Sequence, residues 1–340
     1  MTEQSPAPPT VSKTTILMAG LSVDVYGLEE LASQRPSTVS CLWIYHGRGN
    51  TKESLSDFAK RIVSRHAAAA SPGGRGFIAL AFDVRNHGTR LLSEKANESW
   101  RGGNATHAID MYSMVAGMVS DTKLLMDVVE GYLKVELDGD WGIDQHLALG
   151  VSLGGHSTWQ ALFGEERIGA GVVIIGCPDY MALMSDRAQR SKLSTWSADD
   201  AGASFLGSKD FPSDLVSACL RNDPKGILFG TGPILAAQSL PESERQRLRD
   251  ILDARVRGKK FLVCSGGDDK LVPYSKAKPL VEFFEEATRT WYADAGVTFE
   301  NIVYEGVGHA FSEDMIEDSC RFLLAAVASA GVAGGSRSKI

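Results

Sequence analysis

Ser152 lies in the run Gly150-Val151-Ser152-Leu153-Gly154-Gly155, between the apolar stretch Gln145 to Leu149 and the helix-permitting stretch His156 to Leu162. A serine flanked by glycines two residues to either side, between a strand and a helix, has the spacing of a nucleophile elbow. So sharp a turn forces the serine toward unfavourable backbone angles, and glycines let the strand and helix pack closely around it. A serine hydroxyl is a poor nucleophile near neutral pH, so chemistry at Ser152 requires a histidine to take its proton and a carboxylate to orient that histidine. Of the seven histidines, only His309 lies well after the elbow, in Glu305-Gly306-Val307-Gly308-His309-Ala310-Phe311. That segment leaves an apolar run through a glycine-rich loop able to carry an imidazole over a sheet.

The acid is expected at the end of another strand between these two residues, and the segment from Phe261 to Pro273 supplies two neighbouring aspartates, Asp268 and Asp269. Asp269 is the choice, because Asp269-x-x-Val272-Pro273 places a carboxylate after the glycine turn with an apolar pair anchoring the loop. Asp268 is the alternative, and one of the two is expected to serve as a turn residue bound to its own backbone. The third requirement is a pair of N–H donors for a developing oxyanion, worth about 3 kcal/mol each in a transition state. Leu153 N–H, at the start of the helix after the nucleophile, is one candidate. Arg48 N–H, in the glycine-flanked turn of Ile44-Tyr45-His46-Gly47-Arg48-Gly49-Asn50, is the other, and the Arg48 side chain is either solvated or within reach of an acidic substrate group. His46 is expected to hold its loop and His156 to pack near the nucleophile. His87, although close to Asp83, precedes Ser152 in a segment that braces the oxyanion turn, and is not the expected base.

These residues need a scaffold. Seven apolar, β-branched runs (14–18, 39–46, 77–82, 146–150, 171–175, 260–264 and 297–304) alternate with stretches of helical period (54–66, 108–133, 153–163, 275–290 and 312–330). That alternation predicts an α/β protein with a mostly parallel central sheet flanked by helices. It breaks once, after Ile175-Gly176-Cys177-Pro178, where about 80 residues pass before the next buried strand. The expected organisation is a core of 12–178 and 258–330, a cap insertion of 179–257 placed over the nucleophile, and flexible tails at 1–11 and 331–340. A methionine stripe at Met111, Met114 and Met118 is expected to pack on the sheet, whereas Met181, Met184 and Trp196 of the insertion hint at an apolar substrate group.

Composition narrows the partner. The 340 residues carry a formal charge of −7 with no long basic cluster, which argues against a nucleic-acid backbone and for a small molecule. Five cysteines, widely spaced, read as reduced buried thiols rather than a disulfide frame or metal site. No run of 18 apolar residues predicts a membrane span, and the polar, proline-rich start lacks a secretory core, so an intracellular location is expected. The end, Ser338-Lys339-Ile340, differs by one conservative change from the Ser-Lys-Leu tripeptide read by the peroxisomal import receptor. Peroxisomal import and an accidental ending are both open readings, with the cytoplasm as the other compartment.

Taken together, His46-Gly47-Arg48-Gly49, Asp83-x-Arg85-x-His87-Gly88, Gly150-x-Ser152-x-Gly154-Gly155, Gly267-x-Asp269-x-x-Val272-Pro273 and Gly308-His309 resemble, in order, the motifs of the α/β-hydrolase superfamily, from about Thr14 to Ala330. Within it, the elbow and the downstream insertion look most like the dienelactone-hydrolase and prolyl-oligopeptidase-like branch. Ser152 stands where dienelactone hydrolases carry cysteine, and the chain has no room for the propeller of the oligopeptidases. The resemblance implies a serine acyl-enzyme mechanism without cofactor or metal. The expected function is hydrolysis of a carboxylic ester, with lactone and thioester as variants of the substrate. Acyl transfer by the same residues, an acyl-CoA thioesterase, and a non-catalytic ligand-binding protein on a hydrolase scaffold are the alternatives.

Overall fold

The computed structural model of the chain describes residues 11–71 and 73–333; the C-terminal tripeptide lies outside them. Eight strands form one sheet: β1 (Lys13–Met18), β2 (Leu21–Tyr26), β3 (Thr38–Tyr45), β4 (Gly76–Phe82), β5 (Gly142–Val151), β6 (Ile168–Ile174), β7 (Lys260–Gly266) and β8 (Thr298–Tyr304). Their spatial order is β1-β2-β4-β3-β5-β6-β7-β8. The six strands from β4 to β8 run parallel, whereas β1 and β2 pair antiparallel with each other and β2 with β4.

The helices are α1 (Leu28–Gln34), α2 (Ser56–Ala69), α3 (His107–Glu136), α4 (Leu153–Gly164), α5 (Tyr180–Arg190), α6 (Ser213–Asn222), α7 (Pro224–Phe229), α8 (Glu242–Arg255), α9 (Tyr274–Arg289) and α10 (Glu313–Ala333). Strand residues alternate between two cores, as a sheet covered on both faces requires. On β3, Leu42 and Ile44 join one core with Phe58 and Ile62 of α2 and Leu323 of α10. Cys41, Trp43 and Tyr45 join the other, with Met118 of α3, Trp159 of α4 and Leu252 of α8. All five cysteines are buried and unpaired.

One strand, β2, is absent from the sequence expectation. Its period-2 pattern, Leu21-Ser22-Val23-Asp24-Val25-Tyr26, carries an aspartate that is fully buried in the sheet. An isolated buried carboxylate is costly, and here the cost is met by ion pairs to Lys52 Nζ at 2.6 Å and Lys13 Nζ at 2.7 Å. The compensating lysines are 11 and 28 residues away in the chain, so the run read alone looks too polar for a strand.

The insertion after β6 contains α5 to α8. Its buried residues Phe205, Phe211 and Leu248 belong to the same core as the sheet face under α3 and α4. Aromatic contacts tie it down: Tyr180 packs edge-on against Tyr112 of α3 at 5.4 Å between ring centres, and its hydroxyl donates to Ala108 O at 2.7 Å. α8 lies against α4, with Arg255 donating to Phe163 O at the end of that helix.

Candidate active site

β5 delivers Ser152 at its carboxyl end. The serine has φ 57° and ψ −110°, in a positive-φ region that an L-residue adopts only when its surroundings enforce it. Here the enforcement is a backbone bond at each side: Ser152 N–H donates to Ile174 O of β6, and Ser152 O accepts from His156 N–H of α4. The flanking glycines are steric requirements. A β-carbon at Gly154 would overlap the Tyr45 carbonyl of β3, and one at Gly150 would overlap the Gly154 carbonyl.

β7 and β8 deliver the other two residues. Ser152 Oγ–H donates to His309 Nε2 at 2.8 Å, and His309 Nδ1–H donates to Asp269 Oδ2 at 2.7 Å. The second carboxylate oxygen accepts the N–H groups of Leu271 and Val272 at 2.8 and 2.9 Å. Burial alone would raise the Asp269 carboxyl, but the bond from His309 and the two amides hold it below the usual range. Asp269 is 5% exposed; Asp268 faces solvent, and its N–H ties the turn to Val307 O. Such a chain can take a proton from Ser152 while the carboxylate keeps the imidazole in one tautomer.

The turn carrying Arg48 abuts the elbow, since a β-carbon at Gly47 would stand 3.5 Å from that of Ser152. Arg48 and Leu153 both line the cleft at Ser152, and among the described residues neither N–H has a hydrogen-bond partner. His46 holds this turn: Nδ1–H donates to Gly47 O at 2.8 Å and Nε2 accepts Val84 N–H at 3.0 Å. Burial pushes its imidazole down to about 4. The segment after β4 braces the same turn, because Asn97 O accepts from the Arg48 guanidinium at 3.0 Å and Asn97 is itself bonded to Asn86. His87 bonds Arg85 O within this brace and does not touch the serine. His156 is buried beside the site with Nδ1 accepting Cys177 N–H at 2.9 Å.

The cleft has a volume of about 410 Å³. Met111 lines it, while Met114 and Met118 pack into the core. Met181, Met184 and Trp196, expected to hint at a substrate group, do not line it. The methionines are buried in the core, and Trp196 donates to Ser185 Oγ on the insertion's own surface. The residue that the sequence reading missed is Arg187 of α5, which reaches the cleft. Nothing in Asp186-Arg187-Ala188 distinguishes it from a solvated helix arginine; only the docking of α5 turns it inward. Among the described residues no cluster of three or more His, Cys, Asp or Glu could hold a metal ion, and no helix is long and apolar enough to cross a membrane.

No family model matches the chain, and no curated relative matches it. Solved structures do. TT1662 from Thermus thermophilus is 18% identical, with a TM-score of 0.52 over 94% of this chain and 98% of that one. A putative dipeptidyl aminopeptidase IV from Bacteroides ovatus is 13% identical, with a TM-score of 0.50 over 92% of this chain and 35% of that one. An S-formylglutathione hydrolase from Agrobacterium tumefaciens is 16% identical, with a TM-score of 0.49 over 94% of each chain.

Proposed function

We propose, from the α/β-hydrolase fold that this chain adopts, that it is a serine hydrolase cleaving a carboxylic ester through an acyl-enzyme on Ser152. The observation that carries the reading is the continuous hydrogen-bonded chain from Ser152 through His309 to the buried Asp269. In the first half-reaction His309 Nε2 takes the hydroxyl proton as Ser152 Oγ attacks the ester carbonyl. The resulting oxyanion is held by the free N–H groups of Arg48 and Leu153. Collapse breaks the bond to the alcohol, which leaves with the proton held on His309. In the second half-reaction His309 deprotonates water, which attacks the acyl-enzyme and releases the acid and Ser152. Lactones and thioesters present the same carbonyl and follow the same steps. Within the segment 179–257 we assign the cap role to α5 through α7, since α5 supplies Arg187 to the cleft while α8 packs on α4.

The test is covalent labelling of the folded protein with a fluorophosphonate, beside hydrolysis of p-nitrophenyl butyrate by the parent and by Ser152→Ala. Labelling at Ser152 and loss of hydrolysis in the variant are expected. Equal rates in both proteins, or an unlabelled Ser152, would sink the mechanism.

A further inference from the structure

Arg48 and Arg187 face the same cleft as Ser152, and their charges are unanswered. Among the described residues neither guanidinium has a carboxylate within 4 Å. The polar contacts of Arg48 end at a carbonyl, Asn97 O. Those of Arg187 are Leu271 O at 3.3 Å and the Met111 thioether sulfur at 2.9 Å, and its Nε is buried with no partner at all. Asp269, the nearby acid of the site, is committed to His309 and two backbone amides.

Among the described residues the wall carries one carboxylate, Asp57 at the start of α2, which is exposed to solvent and forms no ion pair with either guanidinium. Burial, followed by the field of Arg48, pushes the Arg187 guanidinium down to about 10. His156, next to the elbow, has Nδ1 within hydrogen-bond distance of both the N–H and the carbonyl of Cys177, at 2.9 and 3.2 Å, and its Nε2 is buried and unpartnered. Two cations without an ion-pair partner in a partly desolvated cleft are expensive to maintain. An entering oxyanion relieves that cost, since guanidinium forks match carboxylate and phosphate oxygens with short charge-assisted bonds. A neutral ester relieves none of it.

We infer that the ester cleaved at Ser152 carries an oxyanionic group, a carboxylate or a phosphate, bound between the Arg48 and Arg187 side chains. This rests on the serine-hydrolase reading and names the substrate class for it. Arg187 is then the residue through which the cap sets specificity, and Arg48 serves twice, with its amide toward the oxyanion and its side chain toward the substrate anion.

The experiment compares mono-p-nitrophenyl adipate with p-nitrophenyl hexanoate, esters of equal chain length, at fixed ionic strength because surface attraction is screened by salt. The anionic ester is expected to have kcat/KM at least about tenfold higher, the scale of one charge-assisted contact. In Arg187→Met that preference collapses, and in Arg187→Lys part of it returns. Adipate and inorganic phosphate compete with fluorophosphonate labelling of Ser152, whereas neutral adipamide does not. The stronger competitor of the two anions identifies the group. Equal or lower kcat/KM for the anionic ester in the parent protein, or competition by neither anion, overturns the inference while leaving the hydrolase reading intact. A folded Arg187→Met that keeps the preference overturns it as well. If Arg187→Met does not fold, the parent's preference and the competition decide. Failure of Ser152 to label at all removes the hydrolase reading, and this inference with it.

Discussion

A serine at φ 57° is held in place by its neighbours. Its amide and carbonyl are bonded to β6 and to α4, so the strain of the turn is borne by the strand and helix that meet there. Its hydroxyl is thereby presented to His309 in advance of any substrate. The two aspartates after β7 illustrate how far a single sequence can discriminate. Both stand at the end of an apolar run, and only a contact 40 residues away, His309 Nδ1 on Asp269 Oδ2, separates them. We expect Asp269→Asn to lower kcat by roughly 10³ to 10⁴-fold, because an amide no longer holds the imidazole in the productive tautomer. Asp268→Asn, on the exposed side of the turn, is expected to change kcat less than about threefold. Steady-state kinetics on active-site-titrated protein distinguishes the two; similar losses in both variants would contradict the assignment.

The elements that were legible from sequence are those whose pattern is self-contained. The runs for β3, β4 and β7 are apolar at nearly every position because both faces are covered, and α4 follows at once from the elbow. Ser152, His309 and Leu153 could be placed for the same reason, at the ends of strands and the start of a helix. What stayed hidden depended on partners distant in the chain: β2, whose Asp24 needs Lys13 and Lys52, and Arg187, whose inward face depends on α5 docking against α3. Close element packing also gives a prediction of opposite signs for one substitution type. Gly154→Ala pushes a methyl into the Tyr45 carbonyl, a backbone atom of a central strand, and is expected to cost about 1–3 kcal/mol. Gly131→Ala, on the exposed side of α3 with open space around it, is expected to gain roughly 0.5–1 kcal/mol through helix propensity. Thermal unfolding of the two variants checks both signs, and a stabilised Gly154→Ala would contradict the packing described at the elbow.

Across the whole molecule, five histidines are buried in their neutral form, His46, His87, His107, His146 and His156, with the imidazole of His87 also lowered by burial. Burial pushes His46 and His146 down to about 4 and His107 and His156 down to about 3. In the unfolded chain each takes up a proton near 6.5. Between these values the unfolded state binds more protons than the native state, so stability falls as pH drops through 6.5 and continues to fall until the native values are reached. Each histidine contributes a slope of about 1.4 kcal/mol per pH unit within that window. The Asp269 carboxyl, held below its ordinary value of 3.8, adds stability that is lost only as pH falls beneath that value. Acid lability is therefore expected to begin well above the carboxylate range. Urea unfolding midpoints measured from pH 7.5 to 5 should decline steadily; a flat profile across that interval would contradict the neutral burial of these imidazoles.

The separation of 157 residues between nucleophile and base also has a meaning in time. A ribosome adds about 5–20 residues per second, so the His309 codon is read roughly 8–30 s after that of Ser152. During that interval the nascent chain can form the strained turn, but it has no imidazole to activate the hydroxyl and no carboxylate to orient one. Competence appears only when β7 and β8 add to the growing edge of the sheet. On the proposed hydrolase reading, activity therefore reports that the last quarter of the sheet, β7 and β8, has assembled.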